Sequence, residues 1–378
     1  MKEKIREAFK GIRMRYLATA LVLVIAVGAA VLISQRIRNR TFESYEVETS
    51  EERADSVSRF AYVDGSALRY SGDGASLMKK DLSSVWNASF EMSDPRVDIC
   101  GSEILFYDRG GTAVYIYNTK EKVASFNLEK PILLARISEK GTVAVLLRDG
   151  EKTQFVYYTK EGTEIASGES TMTDPGYPFA MAISDDGMKA AISYLTVTGG
   201  TTGTAVRFYH FRSGKQGSDN LAGELLLDGS FAPDVQYLGG RCVVFRDNGF
   251  TVVSSPSSMS DSREVDFNRD IVSTFCDDSH IGFIFRSDDR NHLFEMSIYT
   301  TAGNLISETY IDHSFSRVHV CGDEVIVSGE TDLSVFSMKG VRRFEGTLRE
   351  GNVADVLKAG RQRYLVLTDQ TMEVIRLR

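Results

Sequence analysis

Short apolar runs recur along most of the chain after residue 58 and are separated by Gly, Asp, Asn and Ser. Runs of this kind, bounded by turn residues, are typical of β-strands. Tight turns that follow the end of an apolar strand return with a period of about 42 residues, which lies within the range of propeller repeats. The turns are YVDGS (62–66), ICGSE (99–103), ISEKG (137–141), ISDDG (183–187), YLGGR (237–241), FCDDS (275–279), VCGDE (320–324) and LKAGR (357–361).

Each turn leads into a second apolar run and then into a third strand with alternating polarity. The run TVAVLL (142–147) is nearly continuous, which suits a strand covered on both faces, whereas TQFVYYTKEGT (153–163) alternates. A fourth strand completes the unit, and four antiparallel strands per repeat indicate a propeller blade. We predict an all-β propeller of eight four-stranded blades over residues 59–378, with seven blades as the alternative if the weak unit at 233–270 is misread.

The last unit holds only three strands, and the start of the chain can supply the fourth. Those three strands are VADVLK (353–358), RYLVL (363–367) and MEVIRLR (372–378). FESYEVE (42–48), within a linker over residues 36–58, has the composition of a strand. Pairing of the two ends would close the ring and leave no free sheet edge.

An uncharged apolar stretch at residues 16–35 predicts one transmembrane helix. Twenty residues at a rise of about 1.5 Å each span about 30 Å, the thickness of a bilayer core. A cleaved signal peptide is the alternative, but the run is longer than a typical signal-peptide core. Six basic residues precede the helix and three follow it, which predicts that residues 1–15 are cytoplasmic and that the propeller is extracytoplasmic.

The predicted exported part is acidic. Residues 1–40 hold nine of the 44 basic residues and two of the 52 acidic ones, so the remainder carries 35 basic against 50 acidic residues. A net charge of this sign argues against nucleic acid as a partner. The expected partners are the membrane, through residues 16–35, and an envelope protein or glycan.

Several segments resemble an uncharacterised bacterial family of membrane-anchored, propeller-like proteins, found mainly in Gram-positive bacteria. The resemblance covers nearly the whole chain and implies a fold and a location but no activity. More distantly, the DGMKAAIS turn resembles WD40 and TolB-like propellers, and LSSVWNASF resembles quinoprotein-type repeats. The family segments are FESYEV, RYSGDGASL (69–77), WNASFEMSDPRVDICG (86–101), DRGG (108–111), VAVLL (143–147), GYPFAMAISDDGMKAAISYL (176–195) and LVLTDQTMEVIRL.

Motifs that indicate catalysis or metal binding are missing from the sequence, which contains no HExxH, GxSxG, CxxC or phosphate-binding glycine loop. We therefore predict no catalytic residues, no cofactor and no metal site. His313 and His319 flank one connection between blades, but no third ligand is identifiable. Cys276 and Cys321, in adjacent predicted blades, either form a disulfide or remain small buried thiols.

An Arg beside an Asp recurs in turns between the second and third strands of four blades. One interpretation is ordinary turn chemistry with exposed ion pairs, because Asp, Asn and Gly favour turns. The other is a polar recognition ring around the central channel. On the same rim, a longer Gly/Thr-rich hairpin at 197–205 could bind a partner. The candidate residues are Arg109, Arg148, Arg246, Arg286, Asp108, Asp149, Asp247 and Asp288.

Together these patterns predict a membrane-anchored extracytoplasmic propeller that acts as a protein-interaction or ligand-recognition module of the bacterial cell envelope. A fold without a catalytic constellation offers a binding surface, so we expect a binding module rather than an enzyme. The alternative is an envelope enzyme of the glycan lyase or hydrolase type, with its site in the propeller channel.

Overall fold

The chain folds into eight four-stranded antiparallel sheets, which confirms the prediction of eight blades rather than seven. The computed structural model describes residues 23, 26–28, 40–52, 58–171, 174–198, 200–211, 220–256, 261–349 and 351–378. In seven blades the four strands follow one another along the chain and pair in that order. The eighth blade takes one strand from the start of the chain.

The strands of the first four blades follow β1 (Tyr45–Glu52). Blade 1 contains β2 (Arg59–Val63), β3 (Ser66–Ser71), β4 (Gly74–Met78) and β5 (Ser84–Ser89). Blade 2 contains β6 (Pro95–Cys100), β7 (Glu103–Asp108), β8 (Ala113–Asn118) and β9 (Lys122–Asn127). Blade 3 contains β10 (Ile132–Ile137), β11 (Val143–Asp149), β12 (Lys152–Tyr158) and β13 (Glu164–Ser170). Blade 4 contains β14 (Tyr177–Ile183), β15 (Lys189–Thr198), β16 (Thr201–His210) and β17 (Leu221–Leu227).

The remaining strands form blades 5 to 8. Blade 5 contains β18 (Asp234–Leu238), β19 (Arg241–Arg246), β20 (Gly249–Val253) and β21 (Arg263–Asp266). Blade 6 contains β22 (Ile271–Cys276), β23 (His280–Arg286), β24 (Phe294–Thr300) and β25 (Leu305–Ile311). Blade 7 contains β26 (Arg317–Cys321), β27 (Glu324–Ser328), β28 (Asp332–Ser337) and β29 (Arg342–Thr347). Blade 8 contains β30 (Val353–Gly360), β31 (Arg363–Thr368), β32 (Thr371–Leu377) and β1.

Pairing of β1 with β32 closes the ring, as the sequence predicts, although β1 begins three residues later than the predicted strand. Tyr45 pairs with Leu377 and Glu52 with Thr371. Phe42, predicted to lie in the strand, instead precedes it and packs in the buried cluster shared by blades 7 and 8. Its backbone N–H donates to the carbonyl of Arg343 over 2.7 Å. The segment that precedes β1 therefore contacts both blade 7 and blade 8.

The core lies mainly between adjacent blades. In the second strand of each blade both faces are covered, and Val143–Leu147 in β11 are all buried. The fourth strands have one covered face, so β13 mixes buried and exposed residues. Trp86 of blade 1 stacks on Tyr117 of blade 2 at 4.8 Å between ring centroids. The single tryptophan of the chain therefore packs between two blades.

Alternation of strand direction gives the propeller two distinct faces. One face carries the turns between first and second strands and between third and fourth strands; we call it the base. The other carries the turns between second and third strands and the connections from blade to blade; we call it the rim. The eight turns found in the sequence all lie between the first and second strands, at the base.

The predicted transmembrane helix at residues 16–35 lies outside the described residues, apart from residue 23 and residues 26–28. The cytoplasmic segment 1–15 lies outside them entirely, as do residues 36–39 and 53–57 of the linker. Over the described part of the chain, no helix has the length and apolar character needed to cross a bilayer. The transmembrane helix therefore stays a prediction from sequence.

Candidate recognition surface

Two of the four candidate arginines are held by carboxylates of their own surroundings. The side chain of Arg246 is 6% exposed, and its guanidinium donates to Asp266 on the fourth strand of the same blade over 2.7 Å. Arg109 pairs with Asp94 over 2.7 Å, and Arg96 reaches the same carboxylate over 3.1 Å. Burial raises the pKa of Asp94, but bonds from both arginines outweigh it, and the pKa is lowered. These two arginines stabilise turns.

Arg148 and Arg286 differ from the other two because both are exposed at the ends of second strands. Among the described residues, neither guanidinium has a hydrogen-bond or ion-pair partner. A cation free of internal partners can bind an external anion without first breaking an existing pair. Of the proposed ring, these two arginines are therefore available for recognition.

The aspartates of the same turns mostly serve the turns themselves. Asp108 accepts the backbone N–H of Asp94 over 2.8 Å. Asp149 pairs with Lys130 over 2.7 Å. Asp247 accepts the hydroxyl of Ser230 over 2.7 Å. Asp288 is exposed in the longer turn of blade 6. Three of the four thus have contacts that explain them as turn residues.

A groove on the rim lies beside Arg148, between blades 3 and 4; we call it the rim groove. It has a volume of about 480 Å³ and is lined by Leu133, Arg148, Gly150, Glu151, Lys152, Thr153 and Tyr177. The other cation of its wall is already paired, because Lys152 contacts Glu169 over 3.0 Å. Arg148 is therefore the cation of this groove that remains open to a ligand.

Large apolar side chains lie exposed around the end of blade 4 next to the rim groove. Val197, near the tip of the long hairpin, is 70% exposed, and Tyr177 is 41% exposed. Leu226 and Phe231 are also exposed, and the ring of Phe231 stacks on Phe179 at 4.7 Å. We call Tyr177, Val197, Leu226 and Phe231 the apolar patch. Several exposed apolar residues at the rim end of one blade indicate an interaction site.

The hairpin that carries Val197 is longer than its counterparts, as predicted. β15 and β16 have ten residues each, and their pairing continues to Thr198 opposite Thr201. The segment is therefore an extension of two strands rather than an irregular loop. Such an extension projects from a rigid blade, which suits a binding element.

The first strands of the blades are the innermost and hold several partly buried charges. Asp98 lies 3.5 Å from Arg136 and accepts the backbone N–H of Ile137 over 2.8 Å. Burial raises the pKa of the Asp98 carboxyl, and Arg136 opposes the rise. Burial also raises the pKa of Asp234, which accepts bonds from Gln236. These groups satisfy one another, so we assign them to structure.

The histidines and cysteines provide no reactive site. His319 contacts Asp355 over 2.6 Å and His313 contacts the hydroxyl of Ser334 over 2.8 Å, so they do not share a ligand. No group of three His, Cys, Asp or Glu residues in the described part of the chain could hold a metal. All four cysteines are free thiols, so Cys276 and Cys321 are not bridged.

The environment of the thiols opposes nucleophilic chemistry. Burial raises the pKa of Cys100 to about 12, with help from the carboxylate of Asp185. Burial also raises the pKa of Cys276 to about 12, and the pKa of Cys242 and Cys321 rises for the same reason. A reactive cysteine needs the opposite shift, because the thiolate is the nucleophile.

Sequence reasoning identified Arg148 but missed the apolar half of the rim surface. Tyr177, Leu226 and Phe231 occur in strands or connections where apolar residues are ordinarily buried. Two sequence features could have indicated this apolar surface: the dipeptide Tyr177–Pro178 at the start of a strand, and the extended hairpin. They became interpretable only when the fold brought the three segments to one end of blade 4.

A family of unknown function, DUF5711, matches residues 38–377 of the chain. The chain belongs to the DUF5711 family. The DUF5711 match covers the whole propeller, including the ring-closing strand. None of the curated proteins matches this DUF5711 protein.

Solved structures similar to this DUF5711 protein share little sequence with it. AztD from Citrobacter koseri is 9% identical, with a TM-score of 0.55 over 78% of this chain and 87% of that chain. The tricorn protease is 11% identical, with a TM-score of 0.50 over 86% of this chain and 36% of that chain. The WD40 domain of Neurospora crassa Pan2 is 9% identical, with a TM-score of 0.45 over 75% of this chain and 88% of that chain. At such identities, the first two matches show a shared fold and nothing of function.

Proposed function

We propose that this DUF5711 protein is a single-pass, membrane-anchored propeller of the bacterial cell envelope that recognises an envelope protein or glycan through its rim. Residues 16–35 would cross the membrane, with the N-terminus cytoplasmic and the propeller extracytoplasmic. The uncharged stretch and its six preceding basic residues support this location. The acidic composition of the remaining chain argues against nucleic acid as the partner.

The observation that carries the proposal is the coincidence of three features at one place on the rim. The rim groove offers a concave surface of about 480 Å³, Arg148 offers a cation without a partner among the described residues, and Tyr177 of the apolar patch lines the groove. Interfaces are enriched in Arg and Tyr, and their energy is concentrated in a few such residues. Blades 3 and 4 therefore form the part of the rim best suited to binding.

The place where the chain enters the propeller also supports the rim as the binding surface. Glu43 and Ser44 donate backbone N–H groups to the carbonyl of Arg378. Phe42 donates its backbone N–H to the carbonyl of Arg343, near the start of β29. Both contacts are at the base. A membrane helix that precedes residue 40 would therefore approach the base, and the rim would point away from the bilayer.

No observation favours the alternative of an envelope enzyme. Its expected site is the propeller channel, where Asp98 is engaged with Arg136 and His319 with Asp355. A binding module requires a surface rather than a set of reacting groups, and the rim supplies one.

Site-specific photocrosslinking in the native cells tests this function. A photoreactive amino acid would replace Arg148, Tyr177 or Val197 on the rim and, as a matched control, Met188, which is exposed in a turn at the base. We expect the three rim positions to give the same crosslinked partner and Met188 to give none. Mass spectrometry would identify the partner.

Two outcomes would contradict the proposal. Failure of every rim position to crosslink, while the protein is present at its normal level, would exclude recognition through this surface. Protection of the propeller from protease in wall-stripped intact cells would exclude the extracytoplasmic location. Arg148→Ala, a surface change, should weaken crosslinking from Tyr177 without lowering the amount of protein.

A further inference from the structure

The fourth strands of the blades carry two side chains that fill the outer part of the gap to the next blade. The strand pairing identifies equivalent positions, because a β-bulge between third and fourth strands recurs beside the first of the two residues. At least one of the two is large in blades 1, 2, 4 and 7, and both are of medium size in blade 6. The pairs are Trp86 and Ala88 in blade 1, Ala124 and Phe126 in blade 2, Gly223 and Leu225 in blade 4, Phe344 and Gly346 in blade 7, and Ser307 and Thr309 in blade 6.

Blade 3 is the exception among these six blades. Its pair is Ala166 and Gly168, which lie opposite Tyr157 and Phe155 on β12. A Cβ atom added to Gly168 would meet no atom of the described part of the chain within 4 Å. Gly346 of blade 7 also lacks a side chain, but there the ring of Phe344 occupies the space. Among the described residues, no side chain of the fourth strand therefore fills the gap between blades 3 and 4 at this level.

A pocket of about 230 Å³ occupies this gap; we call it the wedge pocket. It is open to solvent beside Gly168, which is exposed. Its apolar walls come from blade 3 through Leu146 and Phe155 and from blade 4 through Tyr194, Tyr209 and Phe211. The rings of Phe155 and Tyr209 stack on each other at an angle of 27°, with centroids 5.7 Å apart. A planar ligand group would pack against this aromatic pair rather than between the two rings.

One side of the wedge pocket is polar. The hydroxyls of Tyr194 and Tyr209 lie 3.2 Å apart and are bonded to each other. Arg207 also lines the pocket and is fixed by Glu224 over 2.7 Å and by Asp174 over 3.2 Å. A ligand hydroxyl placed there could donate to or accept from groups that are already held in position.

We propose that the wedge pocket takes one phenol ring, the tyrosine side chain of a partner protein. An apolar cavity of about 150 Å³ can hold a benzene ring, so about 230 Å³ accommodates a phenol. The volume is below the range of about 300–1,000 Å³ typical of small-molecule sites. Aromatic anchors that fill a pocket dominate many interfaces. This inference rests on the proposed recognition function and adds a second contact point on the side of blades 3 and 4.

Binding of single-residue probes to the full-length protein in detergent tests the proposal. N-acetyl-tyrosine methylamide, the phenylalanine analogue and the leucine analogue would be compared by saturation-transfer NMR and by competition. We expect the tyrosine probe to bind best and the leucine probe to bind worst. Gly168→Leu should weaken tyrosine binding by about tenfold or more, because the new side chain fills the pocket.

Two further variants separate pocket filling from general damage. Glu164→Leu places the same side chain at an exposed position near the start of the same strand, outside the pocket, and should leave binding unchanged. Tyr209→Phe removes one hydroxyl from the polar side. It should lower the preference for tyrosine over phenylalanine while both probes still bind.

The outcomes decide between clear alternatives. Equal binding of the three probes, or binding that Gly168→Leu leaves intact, would overturn the proposal. Binding of free p-cresol without binding of the tyrosine methylamide would also overturn it, since the pocket would then serve a small molecule rather than a side chain. Rim crosslinking that persists in Gly168→Leu would show that the proposed function stands even where the wedge pocket fails.

Discussion

The junction of blades 7 and 8 and the junction of blades 3 and 4 carry glycine at the same position of the fourth strand but use it in opposite ways. In the first, Gly346 makes room for the ring of Phe344, which packs in a buried cluster with Phe42. In the second, Gly168 lies beside Ala166, and the space stays open. Whether this position forms a filled junction or a pocket therefore depends on the size of one neighbouring side chain, that of Phe344 or that of Ala166.

The two junctions also differ in the burial of their charged side chains. Glu324 is 1% exposed and is contacted by Arg343, by Lys358 over 3.1 Å and by the Tyr364 hydroxyl over 2.7 Å. These residues join blade 7 to blade 8. At the other junction Arg148 lies exposed on the rim. Among the ion pairs of the described residues, the most deeply buried one therefore lies where the ring closes, whereas available charge and apolar surface lie where we propose that the propeller binds.

The largest effect is expected from removal of the ring-closing strand. Deletion of residues 40–52 from the full chain removes the pairing of β1 with β32 and the contacts of Phe42 and Tyr45 with blade 7. An open edge on β32 should cause aggregation and loss of the cooperative thermal transition. Circular dichroism and size-exclusion chromatography in mild detergent would measure this.

A synthetic peptide of residues 40–52 is the control for the deletion. Added in trans, it should restore the transition, whereas a scrambled peptide of the same composition should not. A deletion variant that melts like the intact protein would show that the ring does not depend on β1.

The next effect is expected from Arg343→Met, which removes one cation from the buried carboxylate of Glu324. Breaking a buried pair from one side costs about 3 kcal/mol of unfolding free energy, because the remaining charge is poorly compensated. The double variant Arg343→Met/Glu324→Gln should recover part of the loss. Urea unfolding would measure both, and equal stability of the two variants would show that Arg343 does not compensate Glu324.

Alkaline pH should weaken the junction of blades 7 and 8 through Tyr364. Burial, and then the carboxylate of Glu324, raise the pKa of the Tyr364 hydroxyl. The folded state therefore keeps this proton while the unfolded state loses it above about pH 10. The stabilisation is complete below that pH and is lost as pH rises, by about 1.4 kcal/mol per pH unit. The unfolding free energies of the intact protein and Tyr364→Phe should converge above pH 10; parallel curves would contradict this.

The smallest effect is expected from alanine at the two matched glycines. Gly168→Ala should raise the unfolding free energy by about 0.4–1 kcal/mol, because alanine restricts the unfolded chain and meets open space. Gly346→Ala should lower it by about 1–3 kcal/mol, because its Cβ would approach Phe344 to 2.9 Å. Thermal unfolding of both variants would measure the difference. A shift of the same sign in both would refute the contrast between the junctions.

The fold could be predicted from sequence because its signal is repeated. Each blade contributes an apolar strand end followed by Gly, Asp or Ser, so even a divergent unit such as 233–270 is supported by its neighbours. The start of β1 was less predictable. Phe42 continues the apolar pattern of the strand, and only the three-dimensional packing shows that it belongs to the junction instead.

The candidate site was less predictable because identical turns hide different partners. Arg246 and Arg148 both precede an Asp at the end of a second strand. Asp266, the partner of Arg246, lies 20 residues farther along the chain and reaches it only through the pairing of β20 with β21. The wedge pocket depends on the pairing in the same way, since Gly168 is meaningful only beside its counterparts in other blades.

The ring-closing strand also determines when the domain can become complete during synthesis. Val47 pairs with Ile375, so the first strand of the propeller stays unpaired until the last strand of the propeller has been synthesised. Contacts so distant in sequence form slowly, and the intermediate with an unpaired edge is prone to misassembly. A chain cut short before β32 would have no partner for β1. Ring closure therefore requires that every strand of the propeller has been synthesised.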